Sequence, residues 1–198
     1  MYGLVRIIFF AILFILIFIL IKRTKVAKKR LIMAVVLVIC IAAGAASALL
    51  PVENLFVNFK SPEAVYKYIY GGKPDAVVCG DASCLARGED AITLIHKAEN
   101  GYKIATALST RMVVNEVNEI GSFMILNAKG TNDYYIRGTM ITENEELAVS
   151  DSTGSALKTE VAKNGDTNCY TVRIYGLIND YSDGWSLTAD GKTVDIAP

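Results

Sequence analysis

At the start of this 198-residue chain, two long apolar stretches bracket a short, strongly basic one, and no other feature narrows the fold as much. Leu4 to Ile21 reads LVRIIFFAILFILIFILI, in which every residue except Arg6 and Ala11 is Leu, Ile, Phe or Val. Such residues contribute about −0.3 to −0.6 kcal/mol each to insertion, so the run as a whole favours the bilayer strongly. Arg6 lies near the end of the run, where a guanidinium reaches the headgroups by extending along its own stem. Leu31 to Leu50 is a second uncharged run, and about 20 residues of helix cover about 30 Å, one hydrocarbon thickness. Neither run has the polar face of an interfacial helix.

Between them, KRTKVAKKR packs six positive charges into nine residues. Short loops rich in Lys and Arg stay on the cytoplasmic side, which makes Lys22, Arg23, Lys25, Lys28, Lys29 and Arg30 the topology determinants. The expectation is a two-helix transmembrane hairpin over residues 1–50, with helices at about 4–21 and 31–50 and a cytoplasmic loop at 22–30. Both termini are then extracytoplasmic, and the protein is a multi-pass component of the cell membrane. Gly44 and Ala48 are spaced for close helix packing, although small residues are common in membrane helices for other reasons. A second reading stays open: KVAKKR, an apolar core and Ala46-Ser47-Ala48 also resemble a signal peptide cleaved after Ala48. Lipid attachment at Cys40 is disfavoured, because Ile39 stands where processing requires a small residue.

The apolar runs also skew the charge. Residues 1–50 contain no acid, so the other 148 hold 13 basic and all 20 acidic residues, a net of −7. A field of that sign repels nucleic acid and anionic lipid, and neither is an expected partner. Pro51 closes the second run, and residues 51–60 read as a juxtamembrane linker. Ser61-Pro62-Glu63 is a helix start: hydroxyl cap, proline at the first position, acid in the first turn. Gly71-Gly72 ends that helix, and its apolar positions predict one face packed on a sheet.

From Asp75 onward the apolar period changes to two. Segments 76–80, 83–87, 91–97 and 102–106 are separated by GDAS, GED and AENG turns and predict a β-meander. With a further short strand at Met112–Val114, the helix and meander make a subdomain over 61–117, and the polar NEVNEIGS stretch is its boundary. Residues 118–198 show seven strand-like segments, in which Tyr170, Val172, Ile174 and Ile178 alternate with polar positions. Seven short antiparallel strands suggest an immunoglobulin-like sandwich, without its Cys–Trp–Cys framework. The fold class is therefore membrane-anchored and mainly β.

The order of hydrophobic helix, basic loop and hydrophobic helix, followed by VENLFVNFKSPEAVYKY and the HKAENGYKI hairpin, resembles a group of uncharacterised small membrane proteins of Gram-positive bacteria. The residues that carry the resemblance are Pro51, Glu53, Asn54, Leu55, Phe56, Phe59 to Ala64 and Tyr102 to Ile104. It implies the same architecture in a bacterial cell envelope, and no chemistry.

Catalytic signals are sparse. His96 is the only histidine, so a multi-histidine metal site is excluded, and it falls on a predicted hairpin strand as a structural residue. Pairing it with Cys79, Cys84 or Cys169 as a nucleophile would need the fold to bring them together. No serine-hydrolase elbow, zinc-protease motif or phosphate-cradling loop is present. Cys79 and Cys84 flank a GDAS turn and face each other across adjacent strands: a structural disulfide, a free thiol pair and a redox pair all fit. NDYSDG at 179–184 lacks the ligand pattern of a calcium loop and reads as a turn. Trp185 is expected to cover the sandwich core, the alternative being a ring exposed for carbohydrate stacking. No cofactor is expected. The functional expectation is a non-enzymatic, membrane-tethered extracytoplasmic binding module, with the lipid bilayer and a second membrane or envelope protein as partners. A signalling or stress component acting through the hairpin is the alternative, and a surface enzyme the least supported reading.

Overall fold

The computed structural model describes the chain apart from residues 1, 24–27, 50, 90, 119, 182–183 and 197–198, and apart from the side chains of 2–7, 48, 49 and 52. Lys25, Ser182 and Asp183, with the side chains of Arg6 and Ala48, therefore lie outside the described residues. Two helices open the chain, α1 (Tyr2–Arg23) and α2 (Lys29–Leu49). They lie side by side, with Gly44 of α2 facing the ring of Phe10; a methyl added at Gly44 would sit 3.8 Å from it. Among the described residues one helix, over Lys29–Ser47, is long and apolar enough to cross a membrane by length and composition. The second span of the expected hairpin is not among them: the described side chains of α1 run from Ile8 to Arg23, short of the about 20 residues a span requires.

Beyond the helices the chain is mainly β, in antiparallel sheets. Helix α3 (Pro62–Tyr70) forms on the signals read from the sequence. The Ser61 hydroxyl accepts from Ala64 N at 3.3 Å, and Gly71, at φ 86°, closes the other end by donating to Lys67 O. Next comes a four-stranded meander, β1 (Ala76–Cys79), β2 (Ser83–Arg87), β3 (Ile92–Ala98) and β4 (Gly101–Ile104). Strand β2 is buried at every position because both of its faces are covered. Ala86 packs with Val65, Tyr66, Ile95 and Ile104 beneath α3, while Leu85 turns the other way with Leu94.

A five-stranded sheet follows in the order β5-β6-β7-β10-β9: β5 (Thr110–Val117), β6 (Gly121–Ala128), β7 (Tyr134–Thr142), β9 (Lys158–Lys163) and β10 (Tyr170–Ile178). Strands β8 (Val149–Asp151), β11 (Ser186–Ala189) and β12 (Lys192–Asp195) form a smaller sheet in the order β12-β11-β8. The main core lies between the two sheets, built from Phe123, Ile125, Ile136, Val172, Ile174 and Ile178 on one side and Trp185, Leu187 and Ile196 on the other. Each such side chain contributes about 1.5–3 kcal/mol when fully withdrawn from water.

Two features differ from the sequence expectation. Strand β5 pairs with β6 and runs through the stretch read as a boundary, so the sandwich strands divide five and three where seven would divide four and three. Within NEVNEIGS, Asn115 and Val117 stand exposed on this edge strand, and Asn118 shapes the turn, its side-chain Oδ1 accepting from the N–H groups of Ile120 and Gly121 at 3.0 and 3.2 Å. The meander also shares a core with the sandwich: Leu85 and Leu94 meet Tyr135, with Val78, Ile92, Ala105, Leu126 and Leu177 around them. The layers stack as helix, four strands, five strands and three strands.

Candidate functional site

Two polar joints fix the meander on the outer face of the five-stranded sheet, and both arise from β2. Because strand side chains alternate, Ser83, Leu85 and Arg87 all point across the layer boundary. Ser83 enters the first joint and Arg87 the second, with the apolar contact of Leu85 between them.

The first joint is centred on Asp133, buried in the turn before β7. Its Oδ1 accepts from Asp81 N at 3.0 Å, and its Oδ2 from Ala82 N at 2.9 Å and the Ser83 hydroxyl at 2.7 Å. Those donors belong to the GDAS turn, which a disulfide between Cys79 and Cys84 closes. Tyr135, fully buried, accepts from Gly80 N at 3.0 Å and donates to Ser83 O at 2.8 Å. Burial pushes the Tyr135 phenol up to about 12, the hydrogen bonds with Ser83 and Gly80 offsetting part of the effect, so it stays protonated as a donor. Gly80 is required here, since a Cβ would lie 2.4 Å from Asp133 Oδ1. Lys97 completes the turn by donating from Nζ to Gly80 O at 2.6 Å. The turn is a backbone anion nest already filled by the protein's own carboxylate.

In the second joint, buried Arg87 pairs with Glu160 of β9, and its guanidinium lies 4.6 Å from the centre of the Tyr175 ring on β10. The Tyr175 hydroxyl donates to Glu160 Oε1 at 3.0 Å. Burial raises the Glu160 carboxyl, but the hydrogen bonds from Arg87 and Tyr175 outweigh it and hold the group below its ordinary range. Nε of Arg87 has no hydrogen-bond partner among the described residues.

His96 pairs with Ser83 across β2 and β3 and faces the same boundary, near Asp133. Its Nε2 is buried without a partner among the described residues, and it lies at a joint rather than beside a nucleophile: Cys79 and Cys84 are bonded to each other, and Cys169 is a free thiol next to β10. Trp185 is buried, with Nε1 donating to Asp151 Oδ2 at 2.7 Å, so its ring is closed to a sugar. Asp180 and Tyr181 of NDYSDG form an ordinary connection, with Tyr181 stacked on Tyr134. No group of three or more His, Cys, Asp or Glu residues poised for a metal occurs among the described residues. Of the basic residues, Lys22 and Arg23 end α1, Lys28 precedes α2 and Lys29 and Arg30 begin it, with Lys29 Nζ donating to Lys22 O at 3.3 Å. The sequence did not single out Asp133, Tyr135, Ser83, Arg87 or Glu160. Only Arg87, a cation in phase with the apolar residues of a strand, carried a readable signal.

The meander covers only part of the outer face. Beneath it lie Leu126, Tyr135, Leu177 and Tyr175. The register puts Val117, Ser122, Thr139 and Arg173 in one row beyond it, Met124 and Arg137 in another, and Ile141 beside Thr171 in a third. This open half exposes Val117 by 80% and Ile141 by 68%, while Met112, 55% exposed, ends the Leu126–Tyr135 row on β5. It is bounded by β5, which has a partner on one side only. No protein-family model, curated protein or solved structure matches the chain, so the resemblance to small Gram-positive membrane proteins rests on the residues quoted for it.

Proposed function

We propose that the chain is a membrane-tethered, extracytoplasmic interaction module of the bacterial cell envelope that binds a protein partner through the open half of the five-stranded sheet. The observation that carries this reading is the division of one sheet face. Part is sealed by the meander, while Val117 and Ile141 stand open beside Arg137 and Arg173. Exposed apolar groups set among polar ones and arginines are a mark of partner surfaces. The free edge of β5 offers main-chain hydrogen bonds to an added strand, a common mode of peptide recognition.

The tether in this reading is a transmembrane hairpin of α1 and α2. Both helices carry apolar side chains that stand more than half exposed among the described residues, including Ile12, Leu16, Leu20, Val38 and Ile41. Lys29 and Arg30 sit at a helix N-terminus, where the dipole disfavours a cation by about 0.3–1 kcal/mol. That placement makes sense when lipid topology, which keeps Lys and Arg on the cytoplasmic side, outweighs the dipole.

Cross-linking of the intact protein in whole envelopes tests the surface. Val117→Glu with Ile141→Glu changes exposed positions, so folding is expected to be unaffected and partner capture to fall at least tenfold. Gly44→Leu, which pushes Phe10 aside, is expected to leave capture unchanged. The converse result would move the function from the sheet to the hairpin.

A further inference from the structure

We infer that Leu55 and Phe56 form a rigid apolar foot that inserts into the outer interfacial layer of the bilayer and fixes the tilt of the domain on the membrane. The inference rests on the reading of α2 as a span. Val52–Leu55 is a short 3-10 helix that begins just past Pro51 at the end of α2. Leu55 and Phe56 are 77% and 85% exposed. Exposure of this kind is ordinary on a loose linker, but this segment is not loose. The side chain of Asn54 clasps Ile104 of β4 from both sides, donating to its O at 2.8 Å and accepting from its N at 2.9 Å. Lys103 Nζ donates to the carbonyls of Asn54 and Val57, and Phe59 exchanges two backbone hydrogen bonds with Tyr102, at 3.1 and 2.9 Å. The segment is thereby an extension of the meander edge, and the domain holds the two apolar side chains out in a fixed position.

Position identifies what covers them. A 3-10 helix rises about 2 Å per residue, so the four residues displace the chain by only about 8 Å from the end of α2. The polar layer of each leaflet is roughly 5–8 Å thick, which leaves the pair at the level of the headgroups and the first carbons of the acyl chains. Helix α3 lies against α1, and its exposed Tyr68 donates to Glu53 of the short helix at 3.4 Å, which puts a tyrosine, a residue that favours that interface, beside the pair. The partner is a neutral lipid surface; the domain's net charge of −7 gives it no attraction to an anionic one.

The full-length protein in single-copy nanodiscs of phosphatidylcholine tests this by tryptophan quenching. Trp185, buried in the sandwich, is the only native tryptophan and supplies the unquenched baseline. Phe56→Trp is expected to be quenched at least twofold by lipid brominated near the headgroup, and less by lipid brominated near the chain ends. Ile39→Trp, midway along α2, is expected to show the reverse order. Quenching of Ile39→Trp without quenching of Phe56→Trp would overturn the foot and leave the span standing. Absence of quenching at both positions would overturn the span and the foot with it. If Phe56→Trp escapes lipid quenching yet is shielded from aqueous iodide, protein rather than lipid covers the site, and the inference is again overturned.

Discussion

The two joints that hold the meander to the sandwich are built from opposite materials. At Asp133 a buried carboxylate is gripped by main-chain N–H groups of a disulfide-closed turn, and the Gly80 carbonyl of the turn accepts from Lys97. At Arg87 a side chain meets a side chain, with Glu160 still 40% exposed to solvent. A joint made of backbone is geometrically demanding, because the turn has to present its N–H groups in the right place. Once formed it leaves little unsatisfied, whereas the Arg87 pair is screened by water on one side. The alignment of the layers, and hence the boundary of the open sheet face, should depend far more on the first joint.

The sharpest break in that comparison is Asp133→Ala. It leaves the Asp81 and Ala82 amides without acceptors and the buried Ser83 hydroxyl with the Tyr135 oxygen as its remaining partner at 3.0 Å, at about 1–3 kcal/mol for each group that water fails to reach. A loss of about 3 kcal/mol or more in urea-unfolding free energy is expected, and a loss below about 1 kcal/mol would show the joint to be ornamental. Replacing Cys79 and Cys84 together by Ser comes next. Opening so short a loop costs about 2 kcal/mol on the chain-entropy estimate. Combining that change with Asp133→Ala should cost less than the sum, since the disulfide acts partly by shaping the nest that the carboxylate fills. Strict additivity would separate the two.

Arg87→Met tests the weaker joint. The apolar stem is retained over Tyr175 while the charge goes, and the half-exposed Glu160 is left in contact with water. About 1 kcal/mol is expected, and less at high salt. The Glu160 carboxyl is held below its ordinary range in the folded protein, so this contribution is present at neutral pH and fades as acid titrates the group. A wild-type minus variant difference that does not shrink in acid would contradict the assignment.

These contrasts also explain what the sequence could reveal. The cap of α3, the meander and the Cys79–Cys84 juxtaposition were legible because each depends on residues close in the chain. Only the middle of β5, Met112–Val114, was legible as a strand; its extension to Val117 and its pairing with β6 were hidden because an edge strand with one solvent-facing side reads as polar, and Asn115 and Glu116 looked like a linker. The Asp133 joint was illegible for a deeper reason. Its donors are peptide groups, identical at every position, and the acceptor is an aspartate in a turn, where aspartate is common anyway. The open sheet face could not be read either, since Val117 and Ile141 share the alternating pattern of covered strands and only the extent of the meander leaves them bare.

The finest test of the comparison is His96, which borders the stronger joint. Burial lowers its pKa below the ordinary 6.5, and the charge of Asp133 offsets part of that shift. A base that is harder to protonate in the folded state than in the unfolded state favours folding fully above pH 6.5, and that contribution falls as the pH drops toward the folded-state value. The cationic form would have to sit with its buried Nε2 unpaired, beside a carboxylate whose oxygens already hold three donors. Because His96 is the only histidine, its ring proton gives one NMR titration, with an expected midpoint below 6.5. His96→Gln should flatten the fall in stability between neutral and mildly acidic pH without altering stability in alkaline solution. In an Asp133→Asn background the midpoint should move lower still, because the one charge favouring the imidazolium is gone. A midpoint that rises in that background would mean that the carboxylate acts on His96 by opening the joint to water rather than through its charge.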